Sequence, residues 1–337
     1  MAPSRKFAPS AIAALLPLAA AGPCDIYGSN NAPCVAAHST TRALYSAYSG
    51  SLYQVMRSSD STTQDIGPVS AGGIADSGSQ DSFCSGTSCI YDQSGNGNDL
   101  TQAPPGGAAS GSAANGYDQL ADATAAQVTL GGSTVYGVYI NPGTGYRNDA
   151  TTNIPTGDAA QGIYAVLDGT HFNDACCFDY GNAEVNNLDN GAAHMQALYF
   201  GQGGSPVEAG TGAGSGPWVM ADLENGIYAG TSFAQNPNLP SVTSRFVTGV
   251  VKGMPGNYWE VLSGDSTTGS LTQGYAGGRS SGYTTMQQEG ALILGIGGDN
   301  SNGAEGTFYE GVVTSGFPSD DVDNQVQADI VSAGYST

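Results

Sequence analysis

The chain has 337 residues, of which 29 are Asp or Glu and eight Lys or Arg, a formal charge of −21 that would repel nucleic acid and leaves a neutral polymer free to approach. Charged residues are only 11% of the whole, while Gly (51 residues) and Tyr (18) are abundant. That composition argues for many strands and tight turns, a polar β protein.

The first 21 residues carry Arg5 and Lys6, a small and apolar stretch from Ala11 to Leu18, and Ala19–Ala21 before Gly22, the arrangement of a secretory signal peptide. Cleavage there predicts an exported, soluble, monomeric chain running from residue 22 to 337 as one domain. Beyond Gly22 no segment approaches the roughly 20 apolar residues that span a bilayer, so no membrane partner is expected. The absence of any Asn-X-Ser/Thr triplet argues against N-glycosylation.

Ser39 or Thr40 is placed to cap a short helix through Ala43, Leu44 and Ala47. Strands are then predicted at 133–140, 162–167, 195–200, 218–223, 245–251, 258–262, 291–296 and 307–313, each flanked by Gly, Asn, Asp or Pro. Near the end, Ser319 precedes a helix in which Val322, Val326, Ile330 and Val331 share a face. The acids in its first turn, Asp320, Asp321 and Asp323, complement the helix dipole and read as structural. Short strands without alternating long helices predict an all-β chain, a sandwich of two antiparallel sheets with a few short helices.

Six cysteines in an exported chain suggest three disulfides. Cys24/Cys34 and Cys84/Cys89 each bracket a short loop, which leaves Cys176 and Cys177 to pair with each other or stay free. With no CxxC pair and with His38, His171 and His194 scattered, no metal is expected at these residues. The run Asp92–Gly97 begins like a calcium loop, but its twelfth position is Ala103, so a turn is the better reading, with a looser calcium site as the alternative. No phosphate-binding glycine loop, dinucleotide fingerprint or serine elbow is present, and no cofactor is expected.

Carboxylates remain as the chemical equipment. Strand alternation from Trp218 to Glu224 predicts Asp222 and Glu224 on one face with Trp218 and Met220, two acids that would disfavour each other's ionisation. The alternative is an ordinary solvated strand face. Asp299 follows an apolar strand and is preceded by Gly297 and Gly298, which would let a ligand approach closely, with Asn300 adding a neutral hydrogen-bonding group. The alternative there is a turn that only closes the strand.

Several longer motifs carry a family resemblance: Gly22–Tyr27, Cys34–Tyr45, Ile90–Asn98, Tyr164–His171, Asn173–Glu184, Gly216–Trp218, Asp222–Asn225, Ile293–Gly303 and Gly306–Gly311. Together they resemble the fungal α-L-arabinofuranosidases of glycoside hydrolase family 54 along nearly all of the chain after Gly22. The resemblance implies a β-sandwich of jelly-roll, concanavalin/laminarinase-like type. It further implies release of terminal arabinofuranose from plant arabinan or arabinoxylan, with Glu224 as nucleophile, Asp299 as acid/base and Asp222 and Asn225 on sugar hydroxyls. Cys176 and Cys177 would form a vicinal disulfide whose compact apolar face, with Gly298 and Asn300, borders the sugar. A related furanosidase or β-xylosidase, or a sugar-binding sandwich without catalysis, are the alternatives. The chain departs from the family pattern by ending at Thr337, where a C-terminal arabinose-binding module is usual, and by having no aromatic residue between Ser205 and Gly214.

Overall fold

The computed structural model describes residues 21–83, 86–203 and 208–337. All eight predicted strand segments are strands, and they assemble into two antiparallel sheets. In the back sheet the spatial order is Thr272–Gly277, Tyr258–Asp265, Phe246–Met254, Gln161–Phe172, Gly306–Ser315, Ser133–Ile140, Ala126–Leu130 and Tyr335–Ser336, with Cys34–Ser39 also pairing to Gly306–Ser315. The front sheet runs Ile227–Tyr228, Trp218–Asp222, Gln196–Gly201, Asp179–Ala183, Ala291–Leu294 and Tyr146–Asn148, then continues through four shorter strands between residues 53 and 102.

The sheets stack into a β-sandwich because alternate side chains on each point inward. Ile163, Ala165, Leu167, Val247 and Val251 of the back sheet share a core with Leu198, Phe200, Val219, Leu292 and Leu294 of the front sheet. Gly249 lets the layers approach closely, since a Cβ there would stand 2.9 Å from Val219 and 3.2 Å from Leu198. The other face of the back sheet is covered too. Tyr164, Val166 and Val312 pack there against Val322, Val326 and Ile330 of the helix Asp320–Ala333, which Ser319 precedes as expected. Burial on both faces explains why Gln161–Phe172 is buried along nearly its whole length. The structural reading of the acids near residue 320 holds for two of them: buried Lys252 donates to Asp320 at 2.6 Å and to Asp323 at 2.7 Å, tying that helix to the sheet.

One expectation fails. No helix follows Ser39; Cys34–Ser39 is a strand and the chain beyond it is irregular. Its backbone donors find partners elsewhere: Ser39 Oγ accepts from the N–H of Thr41 and of Arg42, Ala43 N donates to Gly73, and Leu44 N to Gln93 Oε1. A bidentate pair from Arg42 to Glu310, at 2.6 and 2.7 Å, locks that path. Cys24–Cys34 and Cys176–Cys177 are disulfides, while Cys84, the expected partner of the half-buried Cys89, lies outside the described residues. Burial, then Asp99 and Asp65, push the Cys89 thiol up to about 12. Residues 1–20 of the expected leader also lie outside the described residues. Among the described residues no helix is long and apolar enough to cross a membrane.

Candidate active site

The outer face of the front sheet carries the acids. Its register sets Gly181, Ala197, Asp222 and Ile293 in one row, so Asp222 stands among small or apolar neighbours. Around that row lies a cleft of about 710 Å³ whose wall includes Cys176, Cys177, Asp222, Glu224, Asn225 and Asp299, with Asp189 and Glu208 also on its lining. A second groove of about 750 Å³, between residues 230–238 and 273–276, is lined by amides, hydroxyls and Tyr275 and holds no acid. The chemistry therefore belongs to the first.

Glu224 is not on the strand. Trp218–Asp222 ends before it, and Glu224 and Asn225 have φ of 62° and 54°. Positive φ at two successive residues is what a two-residue type I′ connection requires, and Leu223 N donates to Gly226 carbonyl at 3.1 Å across it. A glutamate in the left-handed region is uncommon, and such strain collects at functional sites. Two contacts hold the turn: the Glu224 N–H donates to Asp222 Oδ1 at 3.0 Å, and the buried Tyr283 hydroxyl donates to the Glu224 carbonyl at 2.9 Å. Asp222 and Glu224 thus meet through a turn rather than through strand alternation. Nor do Trp218 and Met220 line the cleft. Both are buried, and the Trp218 indole N–H donates to Ala213 carbonyl at 2.9 Å.

Asp299 enters from the loop after Ala291–Leu294. Its Oδ1 accepts from Ser301 N at 3.0 Å, and its carbonyl from Ala108 N at 3.0 Å. Asn300, expected at the cleft, is instead fully buried behind the loop beside Asp118. Asn302 donates to that same Asp118 at 2.7 Å, so the loop is anchored from below. Burial raises Asp118 to about 6, against the hydrogen bond from Asn302 that lowers it.

Gly298 makes room chiefly for protein. A Cβ there would overlap Glu184 Oε2, lie 2.7 Å from Glu224 Oε2 and 3.0 Å from Met195 Sδ. The vicinal disulfide stands beside the acids, with Cys177 Sγ 3.4 Å from Asp222 Oδ2 and Cys176 Sγ 3.4 Å from Ser301 Oγ. Cys176, Cys177 and Asp222 are close enough together to hold a metal ion, but sulfurs bonded to each other offer no thiolate. Asn225 is exposed and donates to Asp189 Oδ1 at 3.1 Å, joining the turn to the rim.

Sequence reasoning missed three contributors. Asp179 and Glu184 bracket the strand Asp179–Ala183 and are almost wholly buried, without a hydrogen bond to any of their carboxylate oxygens. Arg147, also buried, donates to the carbonyl of Gly298 at 2.6 Å and to the carbonyl of Glu184, while its Nε reaches Asp149 at 2.5 Å. It fixes two backbone segments behind the cleft. Desolvation raises Asp179, Glu184, Asp222 and Glu224 above the usual carboxylate range. Neighbouring acids add to this at Asp179, Asp222 and Glu224. Such a cluster suits acid, base or nucleophilic work by carboxyl groups. Asp92, by contrast, spends its oxygens on the N–H groups of Ala37, Ser94 and Asn98, which confirms a turn.

A two-sheet β-sandwich with a carboxylate-lined cleft on one sheet is the class of protein that fold and site define. More particularly, the chain belongs to the family described as "Alpha-L-arabinofuranosidase B, catalytic", which it matches over residues 23–336. It is 61% identical over 331 residues to an alpha-L-arabinofuranosidase B of Aspergillus oryzae, covering 96% of this chain and 64% of that protein. A Trichoderma koningii protein named arabinofuranosidase/B-xylosidase is 59% identical over 325 residues, covering 95% and 64%. Among solved structures, an arabinofuranosidase complexed with arabinofuranosyl-α-1,2-xylobiose superposes with a TM-score of 0.91 at 57% identity, over 94% of this chain and 66% of that one. A glutamate-to-glutamine mutant of a family 54 α-L-arabinofuranosidase, soaked with 4-nitrophenyl α-L-arabinofuranoside, gives 0.91 at 56% identity over the same shares. The resemblance to family 54 is borne out, and the chain spans about 64% of the length of these curated relatives.

Proposed function

We propose that this chain is a retaining, exo-acting α-L-arabinofuranosidase that releases terminal arabinofuranose from arabinan or arabinoxylan side chains. The observation that carries the reading is Glu224, an acid held in a left-handed turn by Asp222 and Tyr283 on the same cleft as Asp299. Glu224 attacks the anomeric carbon while Asp299 protonates the leaving oxygen, giving a covalent glycosyl ester. Asp299 then takes a proton from the water that releases arabinose. Asp222 and Asn225 hold sugar hydroxyls, and the Cys176–Cys177 face packs against the ring. The complex of a relative with arabinofuranosyl-α-1,2-xylobiose supports a xylan side chain as substrate. Export through the leader at 1–21, action outside the cell as a monomer, and the neutral polymer as partner complete the proposal.

A β-xylosidase activity is the second reading, favoured by the name of the Trichoderma koningii relative. A panel of aryl α-L-arabinofuranosides, β-D-xylosides and β-D-galactofuranosides separates the two, with Glu224→Gln as control. The proposal expects turnover of the arabinofuranoside, lost in Glu224→Gln while the fold persists. A fully active Glu224→Gln would remove that residue from its role. Retention requires carboxyl groups about 5 to 5.5 Å apart in the substrate complex, and a gap near 9 Å would mean inversion.

A further inference from the structure

A nucleophile must be ionised, yet Glu224 sits in a buried cluster where desolvation and then Glu184, Asp222 and Asp299 oppose its charge. Glu184, one residue beyond Asp179–Ala183, is fully excluded from solvent, and neither of its carboxylate oxygens receives a hydrogen bond from an N–H or O–H group. The nearby cation does not serve it. Arg147 spends its guanidinium on the Glu184 and Gly298 carbonyls and on Asp149. Glu184 and Glu224 instead turn their Oε2 atoms into the one small space left by the missing side chain of Gly298, closed on a third side by Met195 Sδ.

Two carboxylates that share so small a dry space cannot both be charged, and one proton between them satisfies an oxygen on each. The cleft decides which of them carries it. Glu224 lines the cleft and can be reached by water and substrate, while Glu184 lies behind it.

We propose that Glu184 is a positioning residue: its carboxylic acid O–H donates a hydrogen bond to the Glu224 carboxylate, holding that group ionised and oriented for attack. The proposal deepens the reading of Glu224 as nucleophile and rests on it. Glu184 keeps its proton throughout the cycle, so the proton that Asp299 gives and regains is a separate one. The charged groups facing the pair are Asp222 and Asp299 around Glu224, and Arg147 and Glu289 around Glu184. Of these only Arg147 favours charge on Glu184, by its nearby positive charge, and it adds to the Glu184–Glu224 hydrogen bond and a backbone N–H, which lower Glu184 more.

The test compares wild type, E184Q and E184A, each checked for an intact fold by circular dichroism. Glutamine retains a donor, so E184Q should keep kcat/KM on an aryl arabinofuranoside within about tenfold, with its acid limb unmoved. Alanine removes the donor, so E184A should lose about a hundredfold and shift its acid limb upward by about one pH unit. Infrared difference spectra give a readout that needs no turnover: wild type at neutral pH should show a protonated-carboxyl band that E184Q lacks. An unchanged band in E184Q, an unmoved acid limb in E184A, or an E184Q as inactive as Glu224→Gln would each overturn the proposal. Should wild type fail to hydrolyse the arabinofuranoside, the reading of Glu224 fails instead, and the infrared band still decides whether Glu184 carries the proton.

Discussion

Gly298→Ala tests the packing of the acids with the smallest possible change. Gly298 is not among the glycines with positive φ, so alanine brings no backbone penalty and its effect comes from the added methyl alone. That methyl would overlap Glu184 Oε2, stand 2.7 Å from Glu224 Oε2 and 3.0 Å from Met195 Sδ. Restoring ordinary contact distances requires the Glu184 carboxyl to move by more than about 1 Å and the Glu224 carboxyl by about 0.7 Å, and misplacement on that scale costs on the order of a hundredfold in rate. The fall corresponds to about 2.7 kcal/mol of transition-state stabilisation. Overpacking should also destabilise the fold by about 1 to 3 kcal/mol, lowering Tm by roughly 1.5 to 4.5 °C for a domain of this size. Initial rates on an aryl arabinofuranoside, beside a thermal melt, read both effects. Gly28→Ala, in the helix Pro23–Ser29 with nothing within 4 Å of the new methyl, is the control and should leave activity unchanged. Wild-type kcat/KM in Gly298→Ala would refute the reasoning, because the carboxyls could not then occupy the space assigned to them.

Arg147→Met should leave the Gly298 and Glu184 carbonyls without their donor and Asp149 without its cation. A loss of about 3 to 5 kcal/mol in chemical denaturation, with lower activity in the folded fraction, is the expected outcome. Tyr283→Phe removes one hydrogen bond to the Glu224 carbonyl and should cost about 1 kcal/mol, seen as a severalfold fall in kcat with KM little changed. Stability should decline as pH rises. Asp222 is raised to about 7 and Asp118 to about 6, each above its value in the unfolded chain, so the native state binds the extra protons. Their contribution is complete below about pH 4 and is lost as pH climbs through 6 to 7. Calorimetry should therefore give a lower Tm at pH 8 than at pH 5, and a Tm that is flat or rising over that interval would contradict the assignment.

The sheets were legible because apolar segments such as Ala291–Leu294 and Phe246–Met254 carry their own turn signals at each end. The region after Ser39 was misread because its local pattern suits a helix, while its donors are claimed by Gly73 and Gln93, far away in sequence. Alternation through Asp222, Leu223 and Glu224 looked continuous because Leu223 is still buried; only the paired positive φ values reveal that the strand has ended. Asp299 and Gly298 could be named from their glycine-flanked loop, but not which side of that loop Asn300 would take. Glu184 was the least legible. Its importance comes from Arg147, Glu224 and Gly298, which lie between 37 and 114 positions away along the chain and which only the fold brings together.

The central claim is that Glu224 forms the covalent intermediate, and trapping that ester tests it most directly. Incubation with an arabinofuranose-configured cyclic sulfate, followed by intact mass and tandem sequencing of the labelled peptide, should show one adduct per chain, located on Glu224. An adduct on Asp222, Glu184 or Asp299 would contradict the account.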